Sequence, residues 1–301
     1  MIDEIKYFTL DKKIIAYKTT ESWAAVPHVS FIYEADITNL LFEYNRLNKN
    51  PGGHITLNTL FLKIITEAVK AAPQVNAHIK YNSKYVTGKI ETVKEINISM
   101  PWLLENGETI TVNLKDFGTK SLNEMQSYVN KIRENIQNCN VHIPLRAVCV
   151  DNLLSDLKKG RFLKTLRVLT GTVFGKSKIP KCKKADIKKY KKLPAKDKIT
   201  AGDLVPGTIT VSNIGSLYKD QKGFLGLLEI IPPQIFAVGI GAAQEKAGVI
   251  MGENNEKKIG IVKTVPICLA FDHRALNFSD IVPFLQKLDY IFGHSGLFLR
   301  L

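Results

Sequence analysis

The stretch LAFDHRALNFSD (269–280) sets Asp272, His273 and Arg274 side by side where an apolar run, TVPICLA, comes to its end. A histidine leaving a buried strand is expected to be partly desolvated. Desolvation favours the neutral imidazole, the form a general base needs. In a strand, the two charged neighbours point to the opposite face. There they can pair with other groups and hold the local backbone. The plainer alternative is a structural histidine beside an Asp–Arg pair. The remaining histidines, at 28, 54, 78, 142 and 294, include no pair at metal-ligand spacing, and no HExxH occurs, so no metal site is expected. GIGAAQ and IGSLYKDQKG lack the spacing of a dinucleotide or phosphate loop, and there is no GxSxG nucleophile elbow.

A strand that delivers His273 needs a sheet, and the pattern supplies one. IGIVKTVPICLAF (259–271) reads as a long or bent strand, with ENNEKK (253–258) as a hairpin tip before it. GTITVSNIG (207–215) reads as a strand closed by a glycine turn, and PPQIFAVGIGAAQEK (232–246) as another. KEINISMPWLL and ENGETITVNLKDF read as two strands about a turn at Asn106–Gly107.

Helices are expected at 35–48, capped by Asp36 or Thr38 with Leu40, Leu41, Tyr44 and Leu47 on one face, and at 56–73, ended by Pro73. In the second, Leu60, Ile64, Val69 and Ala72 recur at helical spacing. PGG (51–53) reads as the turn between them. A third helix covers 121–138, with Ser121 and Glu124 as a capping box, and a final one runs from about Asp280 to Phe292.

The chain has 301 residues, 45% of them hydrophobic. No apolar run approaches the roughly 18–20 residues of a membrane-spanning helix. The opening MIDEIKYFTLDKKIIAYK reads as neither a signal nor a transit peptide. Four scattered cysteines without a CxxC pair fit reduced thiols in a cytoplasmic protein.

The formal charge of +14 is local. Residues 158–198 hold 16 of the 42 lysines and arginines and only two of the 28 acids, so the rest of the chain is balanced. Such a block is either a solvated insertion or a contact for something anionic. It has few aromatic residues and no recognised module, which argues against nucleic acid. Within it, RFLKTLRVL (161–169) reads as a short basic amphipathic helix. Packing of its apolar face on the body is the commoner outcome. A membrane surface or an acidic partner is the alternative. One α/β domain of about 240 residues with a lysine-rich insertion at about 140–200 is the economical description.

Asp272-His273-Arg274-Ala275-Leu276-Asn277-Phe278 resembles the signature of the dihydrolipoyl acyltransferase catalytic domains of 2-oxo acid dehydrogenase complexes, and of chloramphenicol acetyltransferase. That pattern is Asp-His-Arg, two apolar residues, Asp or Asn, and Gly. Three further stretches are similar, in the same order: SWAAVPHVSFIYEADITNL (22–40), APQVNAHI (72–79), and GTITVSNIGS (207–216) followed by IPPQIFAVGIG (231–241). The resemblance covers the chain except roughly 140–200. It implies a chloramphenicol acetyltransferase-like two-layer α/β sandwich of mixed sheet and helices.

The resemblance also implies an acyl transfer. His273 would act as base, Ser212 as oxyanion donor, Asn277 as the residue orienting the histidine loop, and Asn213 and Phe278 as substrate-binding neighbours. For Ser212 the plain alternative is a strand-end hydroxyl satisfying backbone. No cofactor is tightly bound in this scheme. The donor is an acyl thioester of coenzyme A, lipoyl or a carrier protein, and the acceptor a thiol, amine or hydroxyl. The assembly implied is a homotrimer with active sites at subunit interfaces. The family's lipoyl and subunit-binding domains have no counterpart in the sequence, so the donor is expected to arrive free or on a separate carrier. The basic insertion is then expected to attract an acidic carrier or an anionic ligand, with a membrane surface as the less favoured partner.

The sequence departs from the pattern at Phe278, where the motif has glycine, and at Lys12, where an arginine is usual. These departures leave a second class of function open: a degenerate homologue kept as a binding or scaffold protein, with Phe278 closing the channel.

Overall fold

The computed structural model describes residues 3–49, 54–158, 160, 162–174 and 178–299. The turn expected at 51–53 and Arg161 lie outside the described residues. In chain order the helices and strands are α1 (Leu10–Ala25), β1 (His28–Asp36), α2 (Thr38–Leu47), α3 (Leu57–Ala71), β2 (Ala77–Asn82), β3 (Thr87–Thr92), β4 (Ile98–Leu103) and β5 (Thr109–Leu114). They continue with α4 (Leu122–Asn138), α5 (His142–Lys158), α6 (Phe162–Val173), α7 (Lys184–Lys192), β6 (Ile209–Asn213), β7 (Phe236–Ile240), β8 (Gln244–Met251), β9 (Lys257–Asp272), α8 (Phe278–Gly293) and α9 (Ser295–Phe298). The chain divides into two compact units: Met1–Thr20, Pro101–Asn113 and Tyr128–Pro206 form one, and Glu21–Met100, Leu114–Ser127 and Gly207–Leu301 the other.

The sheet runs β1-β9-β7-β6-β4-β5, and β8 pairs with β9 off this path. It is mixed: β9 is antiparallel to β1, β7 and β8, while β7, β6 and β4 are parallel. The mixed α/β class therefore matches the expectation. Strand β9 explains its own sequence. Up to Lys263 it pairs with β8 and shows alternating exposure. From Thr264 it lies against β1, then between β1 and β7, and is buried throughout. A strand covered on both faces needs a continuous apolar run rather than alternation, and TVPICLAF is that run. Pro266, which cannot donate to a ladder, falls at the break where β9 changes partner, between Thr264 paired with Gln244 and Ile267 paired with Ile240. The single strand expected over 232–246 is accordingly two, β7 and β8, separated by residues 241–243.

The helices behind the sheet start where the caps direct. Thr56 accepts the Thr59 N–H at 3.2 Å to open α3. The Asp36 carboxylate accepts both the N–H and the hydroxyl of Thr38 ahead of α2. Ser121 and Glu124 exchange hydrogen bonds ahead of α4, as the capping box requires. Leu60, Ile64, Val69 and Ala72 are all buried. Helices α3 and α8 pack on each other, and Phe284 of α8 meets Phe236 of β7 edge-on at 5.2 Å.

In the other unit, β4 and β5 turn at Gly107, whose φ of +81° suits a residue without Cβ. The lysine-rich region at about 140–200 is largely helical, with α5, α6 and α7 in it. Neither α5, HIPLRAVCVDNLLSDLK, nor α1, LDKKIIAYKTTESWAA, gathers its apolar residues on one stripe, so periodicity does not mark them. The Glu108 carboxylate meets His142 Nε2 at 2.9 Å, fixing the start of α5 to the hairpin. The expected burial of α6's apolar face does not occur: Phe162, Leu166 and Leu169 are exposed, and among the described residues of that helix Thr165 is the buried one.

Candidate active site

Strand β9 ends on Asp272, opposite His28 of β1. Backbone bonds pin the end from both sides, Asp272 N–H to the Ile235 carbonyl at 2.9 Å and His273 N–H to the Pro27 carbonyl at 3.1 Å. The chain then turns tightly, with the Ala275 and Leu276 N–H groups both donating to the Asp272 carbonyl. The Asp272 carboxylate is fully buried and accepts the Arg274 N–H at 3.0 Å and the Arg274 guanidinium at 2.6–3.2 Å. The guanidinium also lies over the Tyr81 ring, 5.3 Å from its centroid. The charged neighbours of His273 therefore close on each other and lock the turn.

His273 Nδ1 lies 3.0 Å from the Leu276 carbonyl oxygen. A carbonyl only accepts, so Nδ1 carries a proton, and Nε2 is the ring nitrogen left open. Within one chain the ring is exposed, with Phe271 edge-on at 6.0 Å. The expected desolvation is thus not supplied by the strand. The histidine sits on the turn beyond the sheet, and only something placed over that turn can dry it.

Asn277 caps α8. Its N–H donates to the Asp280 carboxylate at 2.7 Å, and the Asp280 N–H donates back to the Asn277 carbonyl at 3.0 Å. No hydrogen bond among the described residues joins the Asn277 side chain to His273. What Asn277 orients, it orients through the backbone of the cap. Phe278 takes the first helical position without a positive φ, so the absent glycine is not needed there for backbone reasons. Its half-exposed ring meets Phe31 edge-on at 5.3 Å. Lys12 is an exposed residue of α1.

Ser212 and Asn213 close β6. The Ser212 hydroxyl is half-buried and makes no hydrogen bond among the described residues, which removes the plain reading of a hydroxyl satisfying backbone. Asn213 is fixed on every side: its Nδ2 donates to Asn58 Oδ1 at 3.0 Å, its Oδ1 accepts the Ser216 N–H at 3.1 Å, and its carbonyl accepts the Ser216 hydroxyl at 2.7 Å. Gly215 lets the turn after β6 press against the backbone of Gly241, where a Cβ would overlap the carbonyl.

Sequence reasoning missed Asn58, because a polar residue in the first turn of an amphipathic helix looks like any solvated one. It also missed Gln234, a buried side chain that donates to the Gly207 carbonyl at 2.9 Å and to Ser99 Oγ at 3.1 Å and accepts the Thr210 hydroxyl at 2.6 Å. Gln234 ties the segment before β7 to β4 and β6. His28 is a further omission. Its Nε2 accepts the Ile230 N–H at 3.1 Å, and burial pushes its pKa below the ordinary value against the nearby charges of Asp272 and Glu229.

The register places Ser212 far from His273. Ser212 lies opposite Gly239, and Gly239 opposite Cys268, five residues before His273. Two strand spacings and five residue rises put the two side chains roughly 15–20 Å apart within one chain. The fold brings Asp272, His273, Asn277 and Phe278 together at one end of the sheet, and Ser212, Asn213 and Asn58 together at the other.

Comparison with known proteins gives a consistent picture. The chain is 24% identical over 270 residues to the lipoamide acyltransferase component of the branched-chain alpha-keto acid dehydrogenase complex of Bacillus subtilis, an alignment covering 88% of this chain and 46% of that protein. The chain thus spans about half the length of that curated relative. Among solved structures, a probable dihydrolipoamide acetyltransferase of Listeria monocytogenes superposes with a TM-score of 0.61 at 19% identity, over 97% of this chain and 94% of that one. The dihydrolipoamide acetyltransferase of Azotobacter vinelandii, studied for the role of a serine, a histidine and an asparagine in its catalytic mechanism, gives 0.65 at 17% identity, over 99% and 94%. The sequence model of the 2-oxoacid dehydrogenases acyltransferase family, catalytic domain, matches residues 4–143 and 179–294, on both sides of the helical insert, and the chain belongs to that family.

Proposed function

We propose that this chain is a single catalytic domain with an insertion at about 140–200 that moves an acyl group from a thioester, on coenzyme A, lipoyl or a carrier protein, to a thiol, amine or hydroxyl acceptor. The observation that carries the reading is the His273 geometry: Nδ1 held by the Leu276 carbonyl and Nε2 left open on a turn locked by Asp272 and Arg274. Nε2 takes the proton of the acceptor as the acceptor attacks the thioester carbonyl. The Ser212 hydroxyl, without a hydrogen-bond partner among the described residues, donates to the oxyanion of the tetrahedral intermediate, an interaction that strengthens toward the transition state. Collapse of the intermediate expels the thiolate, which recovers the proton from His273. No residue is acylated, and no resident cofactor enters the scheme. The serine, histidine and asparagine studied in the Azotobacter enzyme correspond in kind to Ser212, His273 and Asn277.

The separation of Ser212 from His273 supports a cyclic homotrimer in which each site takes its base from one copy and its oxyanion donor from the next. The alternative of a scaffold protein closed by Phe278 asks for a His273 buried behind that ring. The ring of His273 is exposed, and Phe278 rests on Phe31. A cytoplasmic setting fits the reduced cysteines.

The test is complementation. His273→Ala and Ser212→Ala chains, each about 10²-fold or more below wild type alone, are co-expressed and assayed for thiol release from acyl thioesters. If sites are shared between neighbours in a closed ring, random mixing leaves about a quarter of sites with both groups, and turnover returns to about a quarter of wild type. A mixture no more active than its parents would remove the shared-site reading. Full wild-type inactivity toward every thioester would remove the acyltransferase.

A further inference from the structure

Helix α6 is built the wrong way round for a globular protein. Such a helix buries its apolar stripe and shows its polar face to water. Here the buried residue among those described is Thr165, 2% exposed, with Thr172 half-buried one face-repeat on. Phe162, Leu166 and Leu169, at i, i+4 and i+7, form one apolar stripe, and all three are exposed, Phe162 to 65% and Leu166 to 60%. Leu163 and Phe174 add exposed apolar surface beside it, and Val150 and Leu154 do so on α5, against which α6 packs. The helix is nonetheless held in place. Lys13 Nζ donates to the Gly171 carbonyl at 2.5 Å, and the Ile179 N–H donates to the Thr172 carbonyl at 3.1 Å. The Arg146 guanidinium donates to the Pro180 carbonyl just beyond. This stretch lies within 144–178, which the family's sequence model passes over.

The charge that follows the stripe along the chain is one-sided, while α5 brings the acids Asp151 and Asp156. Arg167 lies on α6, and α7 carries Lys184, Lys188, Lys189, Lys191 and Lys192 with Asp186 as its one acid. An acidic carrier would need only the charge, and leaves a row of Phe and Leu in water unexplained. A delocalised anionic surface that accepts apolar side chains to a shallow depth uses both. No helix among the described residues is long and apolar enough to cross a membrane, so the contact would lie on the surface. We propose that the α5–α7 insertion docks this protein on an anionic lipid bilayer, with Phe162, Leu166 and Leu169 entering the headgroup boundary and the α7 lysines facing the lipid charge.

Vesicle co-sedimentation of the full chain tests this, with phosphatidylcholine–phosphatidylglycerol mixtures against phosphatidylcholine alone. Wild type should pellet with the anionic vesicles only, and less so as salt rises, since exposed charges are screened over about 8 Å at physiological ionic strength. Leu166→Ser/Leu169→Ser, and separately Lys188→Glu/Lys189→Glu/Lys191→Glu/Lys192→Glu, should each weaken binding about tenfold or more while the melting temperature stays near wild type, because every altered side chain is exposed. Wild type left in the supernatant at low salt overturns the proposal. So does a serine variant that binds as well as wild type, which would make the attraction charge alone. A serine variant that changes the oligomeric state in light scattering would assign the stripe to a contact between copies and overturn it likewise.

Discussion

With Nδ1 of His273 committed to the Leu276 carbonyl, the tautomer is set by a backbone atom rather than by a carboxylate. The imidazole is therefore oriented by the same turn that Asp272 and Arg274 lock, and the three residues act as one rigid piece. His273→Ala should lower kcat by about 10²–10⁴-fold, the range for losing a general base, with the fold intact in thermal melts. Ser212→Ala should lower kcat by about 10²-fold with little change in KM, since an oxyanion donor acts on the transition state. A change confined to KM would make Ser212 a binding residue. At this scale the sequence was legible where the chemistry is local: Asp-His-Arg at the end of an apolar run names a candidate without any structure. It was silent on Asn58 and Gln234, whose partners lie 155 residues away at Asn213 and 24–135 residues away at Thr210, Gly207 and Ser99. A hydrogen bond of that reach leaves no local mark.

At the level of elements, β9 and α3 were readable because burial on their faces forces long apolar runs at the right period. The helices α1 and α5 were not, because their apolar residues are spread around the axis. The start of β1 carries a testable consequence. His28 accepts the Ile230 N–H through Nε2 and so stitches β1 to the segment before β7. Burial depresses its pKa below the ordinary 6.5, so the unfolded chain binds a proton that the folded chain refuses. The stabilising share of His28 is complete above about pH 6.5 and is lost as pH falls below it. His28→Gln keeps an acceptor for the Ile230 N–H without titrating. Its melting temperature should therefore fall less steeply than that of wild type between about pH 6.5 and 5. Equal slopes would show that His28 contributes nothing to the acid sensitivity.

For the whole molecule, the informative surface is the β8–β9 arm. Ile259 and Ile261 alternate onto one face, with Val249 paired to Ile259, and they are 85% and 75% exposed. Contiguous apolar surface of this kind on a single chain marks an interaction site, and the split between His273 and Ser212 supports another copy as the occupant. Ile259→Glu/Ile261→Glu should give monomers in light scattering and lose turnover while still melting cooperatively. A double variant that stays assembled and active would take the arm out of the interface. Neither the arm nor the inverted α6 was apparent from the sequence, since an apolar residue on a strand or an amphipathic helix is ordinarily assigned to the core of its own chain.

Strand β9 has a mechanical meaning as well. One unbroken backbone runs from the exposed tip near Ile259 to Asp272, a span of roughly 43 Å at strand rise. Its outer half projects as a cantilever, and its inner half is clamped between β1 and β7. With the inner half clamped, any load taken by the outer half passes into the sheet rather than into the turn beyond it, so the imidazole keeps its bearing whatever meets the arm.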